Sequence, residues 1–333
     1  MAADGGFVYS QSTGGAAMTQ LLGRQESSAN WAKRLRAWLV LLVMGITWGL
    51  SFSLARIAAT GGAHPLGIAF WESSIAGIIL IGVVVARRIP AVLSLKIVRL
   101  HVITGLVGMV IPGVAFFYAA SHVPAGILSI SVAAVPIITF IASAFFGLEK
   151  FALGRVAGVV LGMLAIVLLV GPEGSLPDPA QLPWVLLAFA AAAGYAALNM
   201  VLALMAPPEE NSFVLSSGMF VAASLMMTPL IAVTGSFVPM GLPWTVIEWS
   251  LFGLGVINAI AFVLYFYLAD YAGPVFVSLT ANFVTLFGVI WGVVLFGERN
   301  SVWVWLSLVT MMAALLLIAP REKPSVTVSA APD

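Results

Sequence analysis

The stretch FYAASHVPAGILSISVAAVPIITFIASAFFGLEK, residues 117–150, recurs in outline 149 positions later as FYLADYAGPVFVSLTANFVTLFGVIWGVVLFGER, residues 266–299. Both copies open with Phe-Tyr, place Ser129 or Ser278 at the same distance, and close with Glu and a basic residue. Single apolar matches arise by chance in so hydrophobic a chain. The evidence for a repeat is therefore that the Phe-Tyr pair and the pair of Glu with a basic residue recur at one spacing. A shift of 147 also lays Trp48-Gly49 on Tyr195-Ala196. The chain is therefore predicted to contain an internal repeat.

Composition places this repeat in a membrane. Of 333 residues, 62% are hydrophobic and 8% are charged, whereas soluble domains carry roughly 25% charged residues. The net charge of +1 gives no basic surface for nucleic acid. The chain has no cysteine, which excludes disulfides, thiolate metal sites and a cysteine nucleophile.

Ten apolar segments are each long enough to cross a bilayer core, which needs roughly 20 residues per helix. The predicted transmembrane helices are residues 37–59, 66–86, 99–120, 124–146, 152–171, 183–205, 212–234, 247–270, 274–296 and 302–319. The repeat then equates helices one to five (37–171) with helices six to ten (183–319). Five crossings per repeat force the two halves into opposite orientations, so the fold class is an all-α integral membrane protein built as an inverted repeat.

The distribution of basic residues predicts the orientation. With the N-terminus in the cytoplasm, twelve of the 14 Lys and Arg residues fall inside and only Arg56 and Arg299 fall outside. Residues 1–36 are predicted to be a disordered cytoplasmic tail, and residues 320–333 a second cytoplasmic tail. The predicted location is the inner (plasma) membrane, crossed many times.

These features resemble the drug/metabolite transporter superfamily, specifically its EamA-type members with two five-helix repeats. Three stretches carry the resemblance: Trp48-Gly49-Leu50-Ser51-Phe52, the segment 117–150, and its copy ending Phe296-Gly297-Glu298-Arg299. The resemblance implies a carrier with its cavity mainly among helices one, three, four, six, eight and nine. Trp71-Glu72 in helix two departs from the basic residue that members often carry there.

Depth in the membrane selects the candidate substrate-binding residues. Trp48, Tyr195 and Asn258 lie about 11 to 12 residues into their helices, roughly 17 Å deep. Because hydrocarbon satisfies no polar group, such residues either line a cavity or bond a neighbouring helix, and both interpretations stay open. Tyr118 and Tyr267, near helix ends, are alternatively part of an aromatic belt. The full set of cavity candidates is Trp48, Glu72, Tyr118, Ser131, Tyr195, Asn258, Tyr267 and Asn282.

Glu72 is the charge that the sequence explains least. It lies roughly 9 Å below the outer surface, where an ionised carboxylate is costly unless it is paired or wetted. Arg56 reaches a similar depth, so an Arg56–Glu72 ion pair is one hypothesis. The other is that Glu72 faces the cavity and carries a proton through the transport cycle.

The sequence as a whole predicts a secondary active transporter. Its expected partners are a small-molecule substrate, the lipid bilayer and protons as coupling ion. Transport of amino acids or related metabolites by alternating access is the leading hypothesis, and the resemblance implies that the direction is export. A drug efflux pump is the alternative. A membrane-embedded enzyme or a non-transporting scaffold is the alternative from another class.

HExxH, GxSxG, P-loop and complete GxGxxG motifs are absent from the sequence, so no catalytic residue, metal or cofactor is predicted. Both a monomer and a homodimer are compatible with the small-residue run Gly154, Gly158 and Gly162.

Overall fold

The computed structural model describes residues 12–91, 94–148, 152–272 and 274–318. Within these ranges the chain forms ten helices and no strand. Their bounds are α1 Ser12–Thr60, α2 Pro65–Ala86, α3 Leu95–Ala120, α4 Ala125–Phe145, α5 Leu153–Val170, α6 Leu182–Met205, α7 Ser212–Thr234, α8 Val246–Ala272, α9 Thr280–Phe296 and α10 Val302–Ile318. Segments within α1 to α8 are long and apolar enough to span a bilayer, and α9 and α10 are shorter apolar helices. The predicted all-α membrane fold is confirmed.

Two boundaries differ from the sequence-based expectation. Helix α1 begins at Ser12, so residues 12–36 are helical where a disordered tail was expected; this segment lacks proline and contains good helix formers such as Ala, Leu and Gln. Helix α9 begins at Thr280 rather than at residue 274, because a separate helical turn, Pro274–Val277, precedes it. Residues 1–11, the tail 320–333 and the pair Glu149-Lys150 lie outside the described residues.

Proline interrupts two helices near their middle. A π-helical turn, Leu106–Val110, breaks α3 just before Pro112, and a turn at Ala133-Ala134 breaks α4 just before Pro136. Proline has no N–H and its ring clashes with the carbonyl four residues earlier, so the regular ladder fails there. The regular α-helical pattern is therefore interrupted beside both prolines.

The contacts between helices repeat between the two halves. Three pairs consist of a helix and its counterpart five helices later: α2 with α7, α4 with α9 and α5 with α10. Further contacts come in matched pairs. Packing of α1 on α8 and α9 is mirrored by α6 on α3 and α4, and α2 on α8 by α7 on α3. Exchanging the halves thus maps these contacts onto themselves, as two inverted five-helix repeats require.

We call the end of the bundle where α2 begins the outer end, following the predicted orientation, and the opposite end the inner end. Large apolar side chains such as Val85, Val160 and Val309 point outward along the helices, as expected for residues that contact lipid. The small-residue run is used within the chain: Gly158 packs against Ala314 of α10, and Gly162 against Ile137 of α4. Close helix contact, which small residues permit, explains this run without a partner chain.

Candidate functional site

Three predicted residues from three helices meet in one hydrogen-bonded chain. Trp48 Nε1 of α1 donates to Asn258 Oδ1 of α8 at 3.2 Å, and Asn258 Nδ2 donates to Glu72 Oε1 of α2 at 2.6 Å. The second proton of Asn258 Nδ2 is directed at the Leu254 carbonyl at 3.2 Å. Because indole N–H is only a donor, the amide oxygen must face Trp48, which points the amide nitrogen at Glu72.

Glu72 lies on the interior side of α2. It shares a helix face with the buried residues Ile68, Ala69 and Ala76, away from the lipid-exposed Ile78. Its side chain is nevertheless only partly buried. Glu72 is thus turned toward the interior of the bundle and retains some exposure to solvent.

The proposed Arg56–Glu72 ion pair is wrong. Arg56 Nη1 lies 3.4 Å from Glu298 Oε1, in the loop after α9. Equal depth does not make two residues neighbours, because contact also depends on how each helix is rotated about its axis. Among the described residues no Lys, Arg or His pairs with Glu72.

Aromatic side chains surround this chain of hydrogen bonds. The Trp48 and Phe262 rings lie 6.1 Å apart, and Phe262 contacts Phe220 at 5.4 Å and Phe266 at 6.0 Å. Tyr195, the repeat counterpart of Trp48, is partly buried and packs against the core of the bundle. The site therefore combines one carboxyl group, one fixed amide and an aromatic wall, drawn from both repeats.

Access to the site differs between the two ends of the bundle. In α6, Leu186 and Ala197 are exposed on the side that faces lipid. Asn199 lies about 200° around the helix from Ala197, on the opposite side, and it is also exposed. Asn199 Nδ2 donates to Thr139 Oγ1 of α4 at 3.2 Å. Asn199 and Thr139 are therefore polar groups within reach of solvent near the inner end.

The outer end is closed above the site. One turn closer to the outer end than Trp48 and Glu72 lie Phe52 and Ile68, and Phe116 and Phe117 of α3 lie at the same level. All four are at most 8% exposed. This apolar layer separates Glu72 from a shallow outer cavity of about 550 Å³ lined by His64, Tyr118 and Glu248, among others.

The other four candidates lie elsewhere. Tyr118 Oη contacts His64 Nε2 at 3.3 Å at the outer end, and Tyr267 stacks on Tyr271, 5.4 Å between ring centroids, near the inner end. Ser131 is buried and donates to the Ile127 carbonyl of its own helix at 2.9 Å. Asn282 is buried near the start of α9, and its Oδ1 has no partner among the described residues.

Sequence reasoning did not single out Phe262, Asn199 or the Arg56–Glu298 contact. Asn199 follows Tyr195 by one helical turn, which was an available signal, whereas Phe262 is one of 20 phenylalanines and gave none. Within the described part of the chain, no three His, Asp or Glu residues gather closely enough to hold a metal ion.

Comparison with known proteins agrees with this architecture. The sequence model of the EamA-like transporter family matches residues 35–171 and 182–319, which are the two repeats. A solved structure described only as the crystal structure of a protein has a TM-score of 0.61 and 21% identity, and the match covers 85% of this chain and 98% of that chain. No curated protein matches. The chain therefore belongs to the EamA-like transporter family, and it is a multi-pass membrane protein of the transporter class.

Proposed function

We propose that this protein exports amino acids or closely related amines across the plasma membrane, with both termini in the cytoplasm, in exchange for protons that bind Glu72. The observation that supports the proposal is a carboxyl group that accepts a hydrogen bond from Asn258, close to the aromatic rings of Trp48 and Phe262, with no basic partner among the described residues. An ionised carboxylate at that depth is costly unless a positive charge accompanies it.

Two species can supply that positive charge. A proton neutralises Glu72 in the empty carrier, and the ammonium group of an amino acid pairs with it when substrate is bound. An ammonium group beside Trp48 and Phe262 also gains cation–π attraction. Since both species use the same oxygens, each excludes the other. Exclusive binding couples inward proton flow to outward substrate flow.

Alternating access follows from the repeat. The exposed Asn199 near the inner end and the buried Phe52 and Phe116 on the outer side of Glu72 support a site that is open inward and closed outward. The contact between α4 and α9 shows the same asymmetry. Helix α9 packs along Ala125–Val132, the outer half of α4. In the described residues it has no comparable packing on Val135–Phe145, the inner half. Exchanging the conformations of the two inverted repeats would bring the inner halves together and separate the outer halves, which opens the site outward.

The aromatic wall also suits a drug efflux pump, because flat organic cations stack on such surfaces. The two functions differ in the size of the compound accepted and not in the role of Glu72. The substrate panel below therefore includes both classes.

Purified protein in liposomes with an imposed pH gradient tests the proposal. The panel comprises amino acids, the amines that lack their carboxyl group, N-acetylated amino acids that lack the ammonium charge, and bulky aromatic cations. We expect gradient-driven flux of the compounds that carry an ammonium group. The flux of the N-acetylated forms should be at least about tenfold lower, because one charge-assisted contact with Glu72 is lost. Equal transport of charged and acetylated compounds would contradict the role of Glu72. Recovery of a chemically altered compound would show an enzyme instead.

A further inference from the structure

Glu298 joins three helices at the outer end. It follows Gly297, which ends α9 in a left-handed turn with φ of 63°. Its carboxylate accepts from the backbone N–H groups of Ala125 at 2.7 Å and Gly126 at 3.1 Å, at the start of α4. The same carboxylate pairs with Arg56 of α1 at 3.4 Å.

The surroundings of this carboxylate fit it closely. A Cβ added to Gly126 would lie 3.2 Å from Glu298 Oε2, and a Cβ added to Gly292 would collide with the same atom. Arg56 also covers the Phe296 ring, 5.2 Å from its centroid. The Glu298 side chain is only 7% exposed, so its hydrogen bonds are shielded from water. A carboxylate on the N-terminal N–H groups of a helix is favoured by hydrogen bonding and by the helix dipole.

Two of the three groups that hold Glu298 are not repeated at the inner end. The repeat shift of 149 places Pro274 opposite Ala125, and proline has no N–H to donate. The shift of 147 places Ala203 opposite Arg56, so the cation is also missing. This contact therefore stabilises one of the two exchanged conformations more than the other.

We propose that Glu298 is a latch that holds the outer ends of α1, α4 and α9 together, and that it biases the carrier toward the conformation closed at the outer end and open at the inner end. The outer halves of α4 and α9 are the surfaces that must part when the conformations exchange. Glu298 bridges these surfaces, because it belongs to the α9 side and binds the first N–H groups of α4. Opening the outer end requires both of its hydrogen bonds with α4 to break.

The absence of cysteine allows a test by single-cysteine labelling without substrate. Ser129→Cys reports on the outer gate, because Ser129 is buried between α4 and α9 and donates to the Thr285 carbonyl at 3.2 Å. Asn199→Cys, placed in a separate protein, reports on the inner opening. A membrane-impermeant thiosulfonate is applied to either side of the vesicles in proteins that also carry Glu298→Gln, Arg56→Gln or the control Glu173→Gln. Glu173 is an exposed loop glutamate.

With Glu298→Gln we expect labelling at position 129 to rise about tenfold or more from outside, and labelling at position 199 to fall from inside. Arg56→Gln should give a smaller change in the same directions, because both N–H contacts remain, and Glu173→Gln should give none. Unchanged rates with Glu298→Gln would overturn the latch. A rise at both positions together would also overturn it, because that pattern is general loosening of the bundle and not a shift between two conformations.

Discussion

The carboxylate of Glu72 and the side-chain amide of Asn258 are joined by a 2.6 Å hydrogen bond between helices of different repeats. Trp48 fixes this amide from the opposite side. A movement of one repeat against the other must therefore stretch or redirect the bond that positions Glu72. This relationship links the binding site directly to the conformational exchange.

The Trp48 N–H can be removed while its ring is largely retained. In Trp48→Phe the aromatic contact with Phe262 is kept, but the Asn258 oxygen loses its donor and the amide is free to turn. Loss of one such bond costs about 1 kcal/mol, so we expect gradient-driven flux to fall about fivefold with normal amounts of folded protein. Radiolabelled uptake into proteoliposomes measures it. Trp305→Phe is the control, because Trp305 lies on a partly exposed face of α10. Wild-type flux in Trp48→Phe would show that Trp48 only packs against its neighbours.

The sequence was sufficient for the fold because each crossing needs a continuous apolar segment and each repeat carries the same polar markers. It was also sufficient to select Trp48, Glu72 and Asn258, which the structure joins by hydrogen bonds, because depth follows from the helical rise alone. Their role as a binding site stays a prediction. It was insufficient for the partners of these residues. Ser131 lies at a suitable depth but bonds its own helix, and Arg56 pairs with a loop residue 242 positions away. Rotation about the helix axis and the choice of neighbouring helix depend on packing of the whole bundle.

The contact between α1 and α9 depends on glycine. A Cβ on Gly49 would lie 2.8 Å from Phe287 Cβ and 2.9 Å from the Gly288 nitrogen, so the two backbones would have to move apart. We expect Gly49→Ala to lower the melting temperature of detergent-purified protein by several degrees. Overpacking usually lowers the free energy of unfolding by about 1–3 kcal/mol, which corresponds to such a shift. Gly82→Ala is the matched control, because nothing lies within 4 Å of its added Cβ. It should leave the melting temperature unchanged or raise it slightly.

Inverted repeats make a topological prediction. A cysteine at Ser121, after α3, should react with an impermeant reagent from outside the cell, and one at Glu209, between α6 and α7, should react only from the cytoplasm. Single-cysteine proteins in intact and permeabilised cells give this comparison. Reaction of both positions from the same face would contradict the five-plus-five arrangement and the predicted orientation.

The charge of Glu72 can be removed without removing its hydrogen bond. Glutamine keeps a carbonyl oxygen that can accept from Asn258, and the structure pairs Arg56 with Glu298, so Glu72→Gln leaves no cation unpaired. We therefore expect Glu72→Gln to reach the membrane in wild-type amounts, as judged by size-exclusion chromatography. It should lose accumulation driven by a pH gradient, because glutamine neither takes up nor releases a proton.

Downhill movement separates loss of coupling from loss of transport. Glu72→Gln should still exchange substrate, more slowly since the ammonium group loses its counter-ion, and the rate should no longer depend on the pH gradient. Glu72→Asp should restore part of the pH-driven accumulation, because it keeps an ionisable group about one methylene away from the original position. Accumulation at the wild-type level by folded Glu72→Gln would exclude Glu72 as the coupling group. If Glu72→Gln failed to fold, Glu72 would have a structural role beyond the hydrogen bond with Asn258.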